Sequence, residues 1–212
     1  GEYIAFLDDD DEWLPSKIPK QLKKLSESPD NVKASFTGNK KIDDDGTVIN
    51  SYIPCLPPDP VQYQLLWNIG TFSMLMIHAS VPETVGKLDT SLSRCEDQDY
   101  CLRISREYEF CIVDEKLVRK HTGNYEQLGN KYEPAEQAYS YFLNKHQQLA
   151  STKGCHSEMR AAFEYKLGCT ALSNLDYSTA IRKLLASILF DPTHVDSYKN
   201  ILAAAGGPLT HR

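Results

Sequence analysis

The hydrophobic pattern opens on a continuous apolar run, Tyr3-Ile4-Ala5-Phe6-Leu7, which predicts a strand buried on both faces of a parallel sheet. Five acidic residues, Asp8 to Glu12, follow at once, and Trp13-Leu14-Pro15 anchors what comes after them. Pro15 and Pro19 delay the next helix, because proline is tolerated only in a first turn, and the amphipathic stretch from Lys20 to Leu25 ends at Ser28-Pro29-Asp30-Asn31. Residues 32–42 read as a strand, Asp43-Asp44-Asp45-Gly46 as a hairpin turn, and residues 47–52 as the return strand.

After a proline-rich loop (Pro54, Pro57, Pro58, Pro60) the pattern predicts a short helix at 61–67 and an apolar strand at 72–77. A short helix at 81–85 is stopped by Gly86. Tyr100, Cys101, Ile104 and Tyr108 recur at helical spacing and define a helix at 97–107, and strand signals return at 110–113 and 116–119. From residue 132 Gln, Glu, Ala, Leu and Lys dominate, predicting three or four helices. Leu167-Gly168, Ala171, Ala180, Leu184 and Pro192 fall at tetratricopeptide-like offsets. The expected organisation is an α/β domain over 1–128 and an α-helical extension over 129–212, the change of character falling between 123 and 133.

Charge narrows the functional classes. A net charge of −6 argues against a general nucleic-acid binder, and no stretch approaches the roughly 18 apolar residues of a membrane span. The six cysteines show no C-x-x-C pair or zinc spacing and read as reduced thiols of a cytoplasmic protein. A chain that begins inside an apparent core strand, without Met, is expected to be the downstream part of a longer protein.

The acidic run at 8–12 carries the chemistry. So many adjacent carboxylates need a compensating cation or ample water. Behind a strand end, where open α/β sheets bind ligands, hard oxygen donors suit Mg²⁺ or Mn²⁺ shared with a substrate phosphate; the alternative is a solvated acidic turn. The second cluster, Asp43 to Asp45, is explained by Asp-Gly turn chemistry and lacks the spacing of an EF-hand calcium loop. Glu96-Asp97-Gln98-Asp99 opens a helix, where acids favour the macrodipole, but a carboxylate there is also a candidate general base. His121 ends the last strand and is either an ordinary surface residue or a Mn²⁺ ligand beside carboxylates.

Taken in order, these segments resemble the family 2 glycosyltransferases of the GT-A fold, a Rossmann-like mixed sheet. The resemblance rests on residues 1–15, on Gly86-Lys87-Leu88-Asp89-Thr90-Ser91-Leu92 as the family's Gly-x-x-Asp-x-x-Leu, on Glu96-Asp97-x-Asp99-Tyr100 as its ED motif, and on Val118-Arg119-x-His121. It covers roughly residues 1–124 and implies a partial GT-A domain, since the strand–helix–strand unit that holds the nucleotide base has no counterpart here. It also implies inverting transfer from a nucleotide-diphosphate sugar, UDP-linked by preference, to a glycan or lipid-linked acceptor. Asp8 and Asp10 match the acids of the DXD motif, Asp8 facing the ribose or diphosphate and Asp10 the metal. Asp9 is the variable middle residue of that donor-binding motif, and Asp11 supports the loop. Asp97 matches the catalytic base, Glu96 orients it, and His121 matches a position that completes the metal or diphosphate site. Association with the inner face of a membrane and self-association through an exposed sheet edge are further expectations. The competing reading is a non-catalytic protein-interaction module that uses the helical tail.

Overall fold

The computed structural model describes residues 1–121 and 131–206. Two compact units emerge. The first gathers residues 1–64, 68–89 and the segment from 96 to the last strand, and the second residues 65–67, 90–95 and the C-terminal helices. The boundary expected at 128/129 lies outside the described residues.

The first unit is built on a six-stranded mixed sheet: β1 (Tyr3–Ala5), β2 (Asp11–Trp13), β3 (Val32–Ile42), β4 (Val48–Tyr52), β5 (Leu75–His78) and β6 (Glu109–His121). The order is β1-β5-β3-β6-β2, with β4 paired to the distal half of β3. β3 and β6 run parallel; the other pairs are antiparallel. The helices of this unit are α1 (Lys17–Ser26), the larger part of α2 (Pro60–Leu66), α3 (Val81–Val85) and α4 (Glu96–Glu107), and a 3-10 turn at Phe72–Met74 leads into β5.

Alternation along the strands sorts side chains between two faces. Ala34, Phe36, Leu75, Ile77, Phe110 and Val118 form one cluster with Tyr100, Cys101 and Ile104 of α4. Val32, Met76 and Cys111 turn the other way and meet Leu25, Ile18 and Leu22 of α1. Phe36 stacks on Phe110 with centroids 5.4 Å apart at the centre of the first cluster. β3 and β5 are thus covered on both faces, as a buried strand requires.

β1 differs from its sequence-based expectation. It ends the strand order, pairs with β5 alone among the described residues, and leaves Ile4 exposed. An apolar run reports burial but not rank in the sheet, so it reads the same at the edge and at the centre. The acids differ too: the expected loop at 8–12 closes as a turn, Asp11 N–H donating to the Asp8 carbonyl at 3.1 Å, and Asp11–Trp13 then forms β2. The strands expected at 110–113 and 116–119 are one strand. Asp114 and Glu115 bulge from its ladder opposite Gly38, where a Cβ would lie 2.7 Å from the Tyr52 carbonyl oxygen.

The second unit contains, among the described residues, α5 (Tyr132–Thr152), α6 (His156–Ser173), α7 (Tyr177–Phe190) and α8 (Val195–Gly206). Tyr139 and Phe142 of α5 pack on Phe163 of α6 at 5.1 and 5.0 Å between centroids. Asp176 caps α7 by accepting the Thr179 amide hydrogen at 3.0 Å. Gly168 lets α6 approach α7, since a Cβ there would fall 2.8 Å from Leu184 Cγ. No helix of the described residues is long and apolar enough to cross a membrane.

Candidate functional site

The acidic turn is held from below. Ser73 Oγ accepts the Asp8 amide hydrogen at 3.1 Å, and Trp13 Nε1 donates to the Ser73 carbonyl at 2.9 Å. Lys17, itself buried, places its ammonium 4.2 Å from the Trp13 ring centroid and donates to Gln21 Oε1 at 2.7 Å. Gln21 in turn donates to the Ser35 and Met74 carbonyls. Burial without a carboxylate partner pushes Lys17 down to about 7.

Pairing of β2 with β6 then decides what faces the turn. Asp11 lies opposite Lys120, Glu12 opposite Arg119, and Trp13 opposite Val118. Alternation turns Asp11 and Trp13 inward and leaves Glu12 exposed. Carboxylate oxygens of Asp8, Asp10 and Asp11 lie within 4.8 Å of one another. Asp11 is the buried member of the group, and neither of its oxygens accepts a hydrogen bond of ordinary geometry. Burial pushes its carboxyl upward, opposed by Ser73 and by the charge of Lys120. Asp11, expected to support the loop, closes the turn through its amide and is also the most enclosed carboxylate of the cluster.

Lys120 is a site residue that sequence reasoning misses. Its Nζ lies 3.2 Å from Asp11 Oδ2, 3.6 Å from Asp8 Oδ2 and 3.3 Å from Thr71 Oγ1. Nothing local in the sequence marks it; the contact exists only once the register of β2 on β6 is set.

Asp97 sits in the first turn of α4 beside Glu96, after Cys95, whose φ of 61° is left-handed. Packing around its carboxyl raises it to about 6, and the neighbouring Glu96 charge adds to the rise. The Gln98 amide (2.7 Å to Oδ1), the Lys120 charge and the Asn68 side chain oppose it. Lys120 thus acts electrostatically on both the turn and Asp97. Asp99, by contrast, is a structural residue: it is fully buried and paired with Arg103 at 3.0 Å, and Arg103 also donates to the Val85 carbonyl at 2.6 Å.

Two of the expected residues stand apart from the close group. Asp9 is exposed in the turn, and the His121 ring faces Glu12, with Nε2 3.5 Å from Oε1. The close group itself grades from the exposed Asp10 through the half-buried Asp8 to the buried Asp11. Three hard carboxylates so arranged, one of them buried with neither oxygen taking a hydrogen bond of ordinary geometry, fit a small divalent ion.

Comparison with known proteins bears on this arrangement. The family described as Glycosyl transferase family 2 matches residues 1–79, which include the acidic turn and Ser73 but end before Asp97 and Lys120. An uncharacterized glycosyltransferase of Methanocaldococcus jannaschii is 26% identical over 148 residues, 68% of this chain and 50% of that protein. One of Haemophilus influenzae is 28% identical over 112 residues, 52% of this chain and 38% of its own. A Bacillus subtilis glycosyltransferase named for teichuronic acid biosynthesis is 42% identical over 53 residues, 25% of this chain and 20% of its own. The chain spans half the length of these relatives or less. The similarity to glycosyl transferase family 2 thus falls on residues 1–79, the acidic turn among them.

Proposed function

We propose that the α/β unit is the catalytic part of an inverting glycosyltransferase that moves a sugar from a nucleotide-diphosphate donor, UDP-linked by preference, to an acceptor hydroxyl of a glycan or lipid-linked glycan. The observation that carries this reading is the single electrostatic neighbourhood formed by Asp8, Asp11, Lys120 and the raised carboxyl of Asp97. Asp8, Asp10 and Asp11 would hold Mn²⁺ or Mg²⁺, which when bound stabilises charge on the departing diphosphate. Asp97, ionised above about 6 and kept basic by burial and by Glu96, takes the proton from the acceptor hydroxyl. The acceptor oxygen forms its bond to the anomeric carbon from the face opposite the leaving diphosphate, and the bond from that carbon to the phosphate oxygen breaks. One displacement gives inversion. The parts of Asp9 and His121 in donor binding rest on the resemblance alone.

The test is an assay of the protein expressed from its complete reading frame, with a panel of nucleotide sugars and Mn²⁺. Asp97→Asn is expected to lower transfer by about 10²- to 10⁴-fold with donor affinity nearly unchanged. Asp10→Asn is expected to remove the metal dependence of donor binding. Undiminished turnover in the first variant would exclude Asp97 as the base, and unchanged metal-dependent affinity in the second would exclude the cluster as the donor's metal site.

A second reading concerns the helical unit alone. Leu185 and Leu189 on α7 and Leu202 on α8 are exposed, which favours a partner-binding role for that unit.

A further inference from the structure

We propose that Lys120 is a built-in counter-cation of the acidic turn that competes with a divalent ion for Asp8 and Asp11, so that bare metal binds weakly and a phosphate-bearing ligand relieves the competition. The inference rests on the reading of that turn as a metal site. Its ammonium is fixed by oxygens from two separate segments, Asp8 and Asp11 of the turn and Thr71 ahead of β5. The side chain is only 26% exposed, so it is held at the site instead of ranging through solvent. Asp11 explains why a cation is needed there: a buried carboxylate whose oxygens take no hydrogen bond of ordinary geometry requires positive charge nearby, and Lys120 supplies it by proximity.

The same contact limits a metal. A divalent ion on Asp8 and Asp11 and an ammonium 3.2–3.6 Å from those oxygens would be close like charges beside a buried carboxylate, where repulsion is strong. Lysine offers a way out, because its charge rides on a flexible four-carbon stem and pairs readily with phosphate. A diphosphate at the turn would therefore give the displaced ammonium a new partner. Lys120 in this role is a positioning residue for the metal and the donor.

The test titrates Mn²⁺ alone into the protein and follows free Mn²⁺ by electron paramagnetic resonance. Lys120→Met is expected to bind Mn²⁺ about tenfold more tightly than the native chain, and Lys120→Arg, which keeps the charge, to bind as the native chain does. The gain should vanish in Lys120→Met combined with Asp11→Asn, and saturating UDP should narrow the gap between the native and Lys120→Met proteins. Lys120→Gln repeats the test if the methionine variant does not fold. Equal or weaker Mn²⁺ binding in Lys120→Met, with measurable binding in the native protein, overturns the role of Lys120 and leaves the metal reading standing. A gain that survives Asp11→Asn also overturns it. Absence of Mn²⁺ binding in every variant overturns the metal reading and this inference with it.

Discussion

Replacing Asp97 by asparagine removes one negative charge while keeping a side-chain oxygen for the Gln98 amide, which donates to Oδ1 at 2.7 Å in the native chain. The carboxyl is raised from 3.8 to about 6, first by burial and then by Glu96. Below 3.8 both folded and unfolded chains hold the proton, and the residue has no pH-dependent effect on stability. Between 3.8 and about 6 the unfolded chain releases its proton first, so stability falls as pH rises; above that window the penalty is constant. Its ceiling is roughly 3 kcal/mol, and residual solvent around the half-buried group reduces it to about 1–2 kcal/mol. Urea denaturation of native and Asp97→Asn proteins is the assay. The variant is expected to be more stable by about 1–2 kcal/mol near pH 7.5 and by only a few tenths near pH 4, while transfer is lost. A variant that is no more stable near pH 7.5, or whose advantage is the same at both pH values, would refute the argument that an enclosed, charge-repelled carboxylate is held there for use.

Three other outcomes follow from the packing. Arg103→Ala leaves the fully buried Asp99 without its cation and should cost about 3 kcal/mol by thermal or chemical denaturation; a loss below about 1 kcal/mol would mean the pair is dispensable. Lys17 is lowered from 10.5 to about 7, so the folded chain sheds this proton first and stability should rise as pH increases through that window. Lys17→Met should lack about 1–2 kcal/mol of that rise, and identical pH profiles would disprove it. Gly168→Ala sets a methyl 2.8 Å from Leu184 Cγ and should cost about 1–3 kcal/mol, less than additively with Leu184→Ala; full additivity would show that the two residues do not meet.

Features with local causes are legible in the sequence. The hairpin of β3 and β4 follows from an Asp-Gly turn between extended runs, and Gly46 has the φ of 79° such a turn needs. Helix α4 follows from the spacing of Tyr100, Cys101 and Ile104, all of them buried in the core. Asp8 and Asp10 stand out because acids behind an apolar strand are electrostatically anomalous, and they fall in one close group. Long-range features escape such reading. β2 is Asp-Glu-Trp, a sequence with little strand preference, and it exists because it pairs with a strand about a hundred residues later. Lys120 belongs to the site only through that pairing.

Periodicity, turn chemistry and charge spacing act over a few residues, and they are enough to establish three things about this chain. It alternates strands and helices before turning wholly helical, its acids gather behind a strand, and a second acidic pair opens a helix. Which acid is enclosed, which lysine meets it, and which strand lies at the edge are settled only when the chain folds. Each depends on the register of strands far apart in the chain, and a shift of one residue would turn Asp11 outward and Glu12 inward.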